Sequence, residues 1–257
     1  MSKREEQMGA LADRLREEGR LALADASNML GVSESTVRRL FTNLERDGMA
    51  IRVHGGLALP TSGADYSYAE VENTRLNEKR RIARAALPEL EGASSVYLDS
   101  GSTVCQLSTA LAESAGGGRF SGLSVFTNSL ANLSVLSGKL PVQLVGGAYR
   151  LHRRDFAGFI AEEALSRLHF DLCVMGADGL NVESGLTTTD FDTARLDSMV
   201  VERARRRIAL VDADKFGRSA MVRYAPVSTF DAIYSDTSLP DEAAEQLARL
   251  GPRVERA

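Results

Sequence analysis

From about residue 70 onward, short apolar runs alternate with stretches long enough for a helix, and few architectures accommodate that pattern. The runs are 95–99, 123–127, 142–146, 172–177, 208–212 and 232–235, and helical stretches fit 78–90, 103–112, 161–168, 194–206 and 241–250. Strands separated by helical lengths pair in parallel through crossovers, since a tight hairpin cannot join parallel neighbours. The expected fold class is therefore α/β, with a mostly parallel sheet. No repeat or low-complexity tract interrupts it, and Gly116-Gly117-Gly118 reads as a plain loop.

The first 60 residues have a different texture. Met8, Leu11 and Leu15 recur on one helical face. Residues 22–30 form a second helical pattern, with Ala26, Met29 and Leu30 apolar and Gly31 as its stop. Ser33 then caps a third helix, lined by Val37, Leu40 or Phe41, and Leu44, which ends at Asp47-Gly48. The runs 50–53 and 57–59 flank His54-Gly55-Gly56 as a small hairpin or wing, and 60–68 (PTSGADYSY) is a turn-rich linker. A helix ending in glycine, a tight turn and a helix bearing Arg38 and Arg39 is a helix-turn-helix pattern. A small three-helix domain with a solvated arginine face would share it. The hairpin with its glycine turn favours a winged DNA reader, in which Arg38 and Arg39 contact bases or phosphates. Ser33, Ser35 and Thr36 are expected at phosphates or in the groove. Arg52 and His54 are the expected wing contacts, although a turn histidine with a purely structural role fits His54 equally well.

A net charge of −4 runs against a nucleic-acid partner until it is divided by region. Residues 1–60 hold nine Lys/Arg and nine Asp/Glu, while the remainder holds 22 bases and 26 acids. Between residues 35 and 60, Arg38, Arg39, Arg46 and Arg52 face only Glu45 and Asp47. The acidity belongs to the second part, and the patch facing the ligand matters more than the total. No apolar run approaches the roughly 18 residues of a membrane span, and MSKREEQMGALADRL has no apolar signal core. Two cysteines, Cys105 and Cys173, build neither a disulfide framework nor a zinc site and read as core residues. A cytoplasmic location without a membrane partner is expected.

In a parallel sheet, ligands bind beyond the carboxyl ends of the strands. The segments after the strand candidates are small, hydroxylated or glycine-rich: Asp99-Ser100-Gly101-Ser102-Thr103, Thr127-Asn128-Ser129, Gly146-Gly147-Ala148, Gly176-Ala177-Asp178-Gly179 and Asp212-Ala213-Asp214-Lys215. Gly101, Ser102 and Thr103 entering a helix make a plausible anion cradle, with backbone N–H groups, hydroxyls and the helix terminus all favouring negative charge. Lys215 supplies a countercharge, and Asp99 and Asp178 suit sugar hydroxyls. Thr127, Asn128, Gly146 and Gly147 complete the candidate effector site. Gly-Ser-Thr at a helix start also serves as a simple cap, and Asp212 as the close of a turn. Asp190 and Asp192 lack the further ligands a metal needs, so neither a metal nor a cofactor is expected.

The segments LGVSESTVRR (30–39), NLERDG (43–48) and RVHGG (52–56) resemble the DeoR/GlpR family of bacterial transcriptional regulators. Leu40 departs from the family, which usually carries an acid there. LDSGSTV (98–104), TNS (127–129), GGA (146–148), GADGL (176–180), LVDADKFGRSAM (210–221) and NEKRRIARAA (77–86) resemble the family's sensor domain, whose fold is similar to ribose-5-phosphate isomerase. FDAIYSD (230–236) is similar to the glycerol-3-phosphate branch. That branch has a Glu-Val pair where Thr193-Ala194 stand, so its own effector is not implied. The resemblance implies a winged helix-turn-helix at 1–60, a linker at 61–74 and an effector-sensing domain at 75–257. It further implies a repressor that binds operator DNA as a homodimer or homotetramer and responds to a phosphorylated sugar or polyol. The competing function is a sugar-phosphate isomerase with an appended domain. Its catalytic glycine-rich segment has no counterpart around 183–192, so no catalytic residue is assigned.

Overall fold

In the amino-terminal part, apolar spacing of three and four residues produces α1 (Lys3–Glu18), followed by β1 (Arg20–Ala22), α2 (Leu23–Leu30), α3 (Glu34–Arg46), β2 (Ile51–Val53) and β3 (Gly56–Ala58). The computed structural model describes residues 3–18, 20–46, 50–53, 55–58 and 67–257. The chain divides into two compact units, Met1–Ala64 and Asp65–Ala257. In the first, α2 stops at Gly31, whose φ of 61° is left-handed. Ser33 opens α3: its carbonyl accepts from the Val37 amide at 3.1 Å. Leu11, Leu15, Ala26, Val37, Phe41, Leu44 and Leu57 form the core. Leu40 joins them at 4% exposure, so the residue that departs from the family's acid serves packing here.

β1 is an unanticipated third strand of the wing, which runs β1-β3-β2 and is antiparallel throughout. A Cβ on Gly56 would lie 2.2 Å from the Leu21 carbonyl oxygen, so this pairing requires glycine there. His54 and the linker residues 59–66 lie outside the described residues, as does the side chain of Arg52.

The second unit contains α4 (Tyr68–Val71), α5 (Leu76–Ala86), β4 (Ser95–Leu98), α6 (Ser102–Ser114), β5 (Ser124–Thr127), α7 (Leu130–Leu136) and β6 (Val142–Leu144). A hairpin of β7 (Ala148–Arg150) and β8 (Asp155–Ala157) precedes α8 (Phe159–Leu165) and β9 (Phe170–Met175). Then come β10 (Gly179–Asn181), β11 (Gly185–Thr188), α9 (Phe191–Arg203), β12 (Ala204–Leu210), β13 (Val222–Ala225), β14 (Ala232–Ser235), α10 (Asp241–Ala248) and β15 (Arg253–Arg256). Seven strands form one sheet in the order β6-β5-β4-β9-β12-β14-β15, every pair parallel. Period-two alternation splits the core. Val96 and Leu98 pack with Ile82, Leu107 and Leu111 of α5 and α6. Tyr97 joins Leu165, Leu196 and Val200 of α8 and α9 on the opposite face.

The six expected strands are present and parallel. Two expectations need correction, and one strand has no counterpart among them. The helix placed at 194–206 ends at Arg203, and Ala204 already pairs with Phe170. The charged segment Arg253–Arg256 is an edge strand, paired along its backbone to β14 and packed on the core through Val254. Residues 67–74 read as linker in the sequence, yet Tyr68 is buried against Cys105, Ala131 and Val135 of the sensor.

Phe41, fully buried, makes the reader's packing testable. Phe41→Ala costs about 3–5 kcal/mol, comparable with the whole stability of so small a unit. The expected outcome is loss of DNA binding while the sensor still melts cooperatively in calorimetry. A variant reader that binds and melts as wild type contradicts the core assignment.

Candidate functional site

The strand order reverses between β4 and β9, and the segments after these two strands diverge to opposite sides, opening a crevice at the sheet's carboxyl edge. A cleft partly open to solvent lies there. Residues 99–103 after β4, 176–178 after β9 and Lys215 after β12 line it, joined by Arg153, Thr188, Thr193 and Asp197. At one wall α6 starts at Gly101 without a side-chain cap, so its first-turn N–H groups are left to other acceptors. Lys215 also lines this cleft, its ammonium donating to the Ala177 carbonyl oxygen.

The opposite wall depends on the β7–β8 hairpin. Arg150 grips Asp155 with two hydrogen bonds, Nε to Oδ1 at 2.8 Å and an Nη to Oδ2 at 2.7 Å. The same guanidinium reaches Asp190 at 2.9 Å and the Thr193 hydroxyl at 2.9 Å. Asp155 has no solvent exposure and also accepts from the Ser100 hydroxyl at 3.1 Å. With the hairpin so fixed, Arg153 in its turn donates to Thr188 at 3.2 Å, Thr189 at 3.0 Å and Asp178 at 3.4 Å. Asp178 is further held by both threonine hydroxyls and the Thr189 amide.

The back of the cleft is acidic. Asp99 accepts from the Ser100 amide at 2.6 Å and the Gly176 amide at 2.9 Å. Burial raises its pKa, against the pull of those two N–H groups. Asp197, on the face of α9 toward the cleft, is 4% exposed. Burial, then the charge of Asp99, raises its pKa well above the carboxylate range, with Asp178 and Asp155 adding and Arg153 opposing. Lys79 of α5 is also buried and donates to the Val71 carbonyl oxygen at 2.5 Å. Burial, then the nearby Lys215 charge, pushes it down to about 8.

Of the ten effector residues expected from sequence, Asp99, Gly101, Ser102, Thr103, Asp178 and Lys215 line the cleft. Thr127, Asn128, Gly146 and Gly147 are not among its lining residues, because they build the frame instead. The Thr127 hydroxyl donates to the Leu98 carbonyl oxygen at 2.6 Å. Asn128 clasps the hairpin, its side-chain amide donating to the Phe156 carbonyl oxygen at 3.0 Å and its own carbonyl accepting from the Phe156 amide at 2.9 Å. A Cβ on Gly147 would lie 2.5 Å from the Ala157 carbonyl oxygen, and Gly146 lies in the same connection from β6 to the hairpin. Arg150, Arg153 and Asp197 escape sequence reasoning. Two arginines in a loop and one acid in an amphipathic helix carry no local signal, and only the three-dimensional fold brings them together.

On the reader, Ser33, Ser35, Arg38 and Arg39 are exposed and Thr36 half-buried, while Val37 faces the core. The Ser33 hydroxyl lies 2.9 Å from that of Ser35 and 3.1 Å from that of Thr36. Arg38 makes a loose 3.4 Å pair with Glu34, which a phosphate can displace at little cost.

Residues 7–63 match the DeoR-like helix-turn-helix domain and residues 74–237 the DeoR C terminal sensor domain. The chain belongs to the DeoR family. Its relatives in this family are transcriptional regulators. The HTH-type transcriptional regulator GlpR of Haloferax volcanii is 32% identical over 89% of this chain and 88% of its own. The glycerol-3-phosphate regulon repressor of Escherichia coli K12 is 27% identical over 93% of both. A D-ribose-5-phosphate isomerase in complex with phospho-erythronic acid overlays on 54% of this chain and 52% of its own, with a TM-score of 0.41 and 22% identity. That overlap is too loose to carry chemistry. The regulator reading stands over the isomerase one. Among the described residues, no helix is long and apolar enough to cross a membrane.

The raised pKa of Asp197 makes stability fall with pH in this DeoR-family regulator. The unfolded chain releases this proton at pH ~3.9, whereas the folded chain keeps it to higher pH. The folded state then binds more protons, so stability decreases as pH climbs from the unfolded value toward the folded one. Asp99 acts with the same sign. Urea unfolding should therefore show Asp197→Asn gaining more over wild type at neutral pH than at the acid end of this window. A pH-independent difference contradicts the assignment.

Proposed function

We propose that this chain is a DNA-binding repressor of carbohydrate or polyol genes, released when a phosphorylated sugar or polyol binds in the cleft between the ends of β4 and β9. The observation that carries the reading is the uncapped start of α6 facing the same cleft as Lys215 and Arg153. Backbone N–H groups, two hydroxyls and an ammonium on a long stem suit a phosphate monoester. The acids opposite suit the hydroxyls of its carbon chain. In this reading the chain is no enzyme and acts in the cytoplasm, where its operator is.

Coupling has a physical route inside the sensor. The Tyr68 amide donates to the His152 carbonyl oxygen at 2.8 Å, and the Arg154 guanidinium lies 5.5 Å from the Tyr68 ring centre. The first helix of the sensor is thus fastened to the hairpin turn that carries Arg153. A ligand that redirects Arg153 strains this fastening, which is the differential contact that a population shift requires. We further propose a homodimer or homotetramer, since paired readers match half-sites about 34–36 Å apart. Phe159 and Ile160 at the start of α8 and Phe191 at the start of α9 are 77%, 67% and 70% exposed, apolar area suited to a second copy.

Operator duplexes selected from random DNA by the full chain provide the test. Arg38→Ala with Arg39→Ala should weaken binding at least about 30-fold, at roughly 1–3 kcal/mol for each contact. It should also flatten the salt dependence by about 0.9 in log–log slope for each phosphate no longer neutralised. Retained affinity overturns the recognition-helix assignment. Ser102→Ala with Lys215→Ala should bind operator as wild type yet ignore sugar phosphates in anisotropy assays. Turnover of ribose 5-phosphate or glucosamine 6-phosphate that disappears in Lys215→Ala would favour the isomerase instead.

A further inference from the structure

Among the acids lining the cleft, Asp197 is the one to which no described residue gives a hydrogen bond. The other two are accounted for: Asp99 by the Ser100 and Gly176 amides, and Asp178 by Thr188, Thr189 and Arg153. Asp197 makes no hydrogen bond or ion pair among the described residues, although only 4% of it is exposed. It neither caps a helix nor joins a ladder, being in the middle of α9, and Asp190 already caps that helix through the Thr193 amide. The Asp197 oxygens are not sealed from solvent, and Asp197 lines the cleft, so a polar group in the cleft can reach them. The carboxyl faces the cleft alongside Asp99, Thr193 and Lys215. No described residue completes it. A ligand group can.

We propose that Asp197 is a specificity-determining residue of the cleft, completed by a hydroxyl on the carbon chain of a phosphate monoester whose phosphate lies at Gly101–Thr103 and Lys215. This rests on the cleft being the effector site and adds what the site selects for. The phosphate end is read by groups common to every phosphate ester, so it supplies affinity without discrimination. Discrimination falls to the hydroxylated part, because a site with a polar group awaiting a hydroxyl rejects analogues that lack one by leaving that group unpaired. The preferred ligand is therefore a hydroxylated phosphate monoester rather than inorganic phosphate or a bare alkyl phosphate.

The test compares dissociation constants of the full chain for inorganic phosphate, ethyl phosphate, glycerol 3-phosphate, ribose 5-phosphate and glucosamine 6-phosphate. Wild type and Asp197→Leu, close in volume, are measured side by side by calorimetric titration. The hydroxylated ester that binds wild type most tightly should bind Asp197→Leu at least tenfold more weakly. Inorganic phosphate and ethyl phosphate should be unchanged within twofold, and the melting temperature without ligand should not fall. Asp197→Asn, which keeps a hydrogen-bonding group, should recover part of the loss and covers the case in which the leucine variant does not fold. Equal weakening of all ligands, or none, overturns the proposal. A wild-type chain that binds no phosphate compound at all overturns the effector-site reading itself. Wild-type binding with no preference for hydroxylated esters overturns only the role of Asp197.

Discussion

A carboxylate with no access to water must be neutralised where it stands, and Asp155 is such a group. Arg150 meets both of its oxygens, and Ser100 adds a third hydrogen bond. Breaking a buried pair of this kind costs about 3–5 kcal/mol, far more than a surface pair. Because Arg150 and Asp155 sit at the facing ends of β7 and β8, the pair also fixes the turn between them. That turn carries Arg153 to the cleft and presents the His152 carbonyl to the segment entering the sensor. One buried ion pair thereby holds together a wall of the site and the anchor of the sensor's first helix.

The sheet supplies the second constraint. Parallel order with a reversal at β4 and β9 places two loop segments on either side of one crevice, whatever their sequences. Sequence then determines what the crevice holds: an uncapped helix start, a lysine, Arg153 and three acids. Arg75 braces the same edge by pairing with Asp236 at 2.9 Å and Asp214 at 2.9 Å, which joins the start of α5 to the ends of β12 and β14. The cleft is therefore built on ends of parallel strands, with the hairpin bringing Arg153 to it.

Much of this is legible in the sequence. Strand and helix lengths reveal the parallel sheet, and Gly31 and Ser33 reveal the turn between the two reader helices. Gly101-Ser102-Thr103 and Lys215 can be assigned to the cleft because a parallel sheet makes strand ends converge. The rest is hidden for identifiable reasons. Asn128 looks like a ligand contact because it follows a strand, yet its hydrogen-bonding capacity goes to Phe156 and Tyr97. Arg150 and Arg153 belong to an inserted hairpin whose direction the strand pattern does not encode. Asp197 reads as an ordinary polar position of an amphipathic helix, and its isolation emerges only when its neighbours are located. Lys79 reads as one charge among several in NEKRR, although it is withdrawn from water beside Lys215.

At the centre of the proposed function, a phosphorylated ligand in the cleft and operator DNA on the reader compete for conformations of one chain. Thermodynamic linkage makes that competition measurable, because each ligand must alter the other's affinity by the same factor. The decisive experiment titrates the tightest-binding hydroxylated phosphate ester into the full chain alone and into the chain saturated with operator duplex. Operator should weaken ester binding by the same factor by which the ester weakens operator binding. Identical ester affinities with and without operator would contradict the competition.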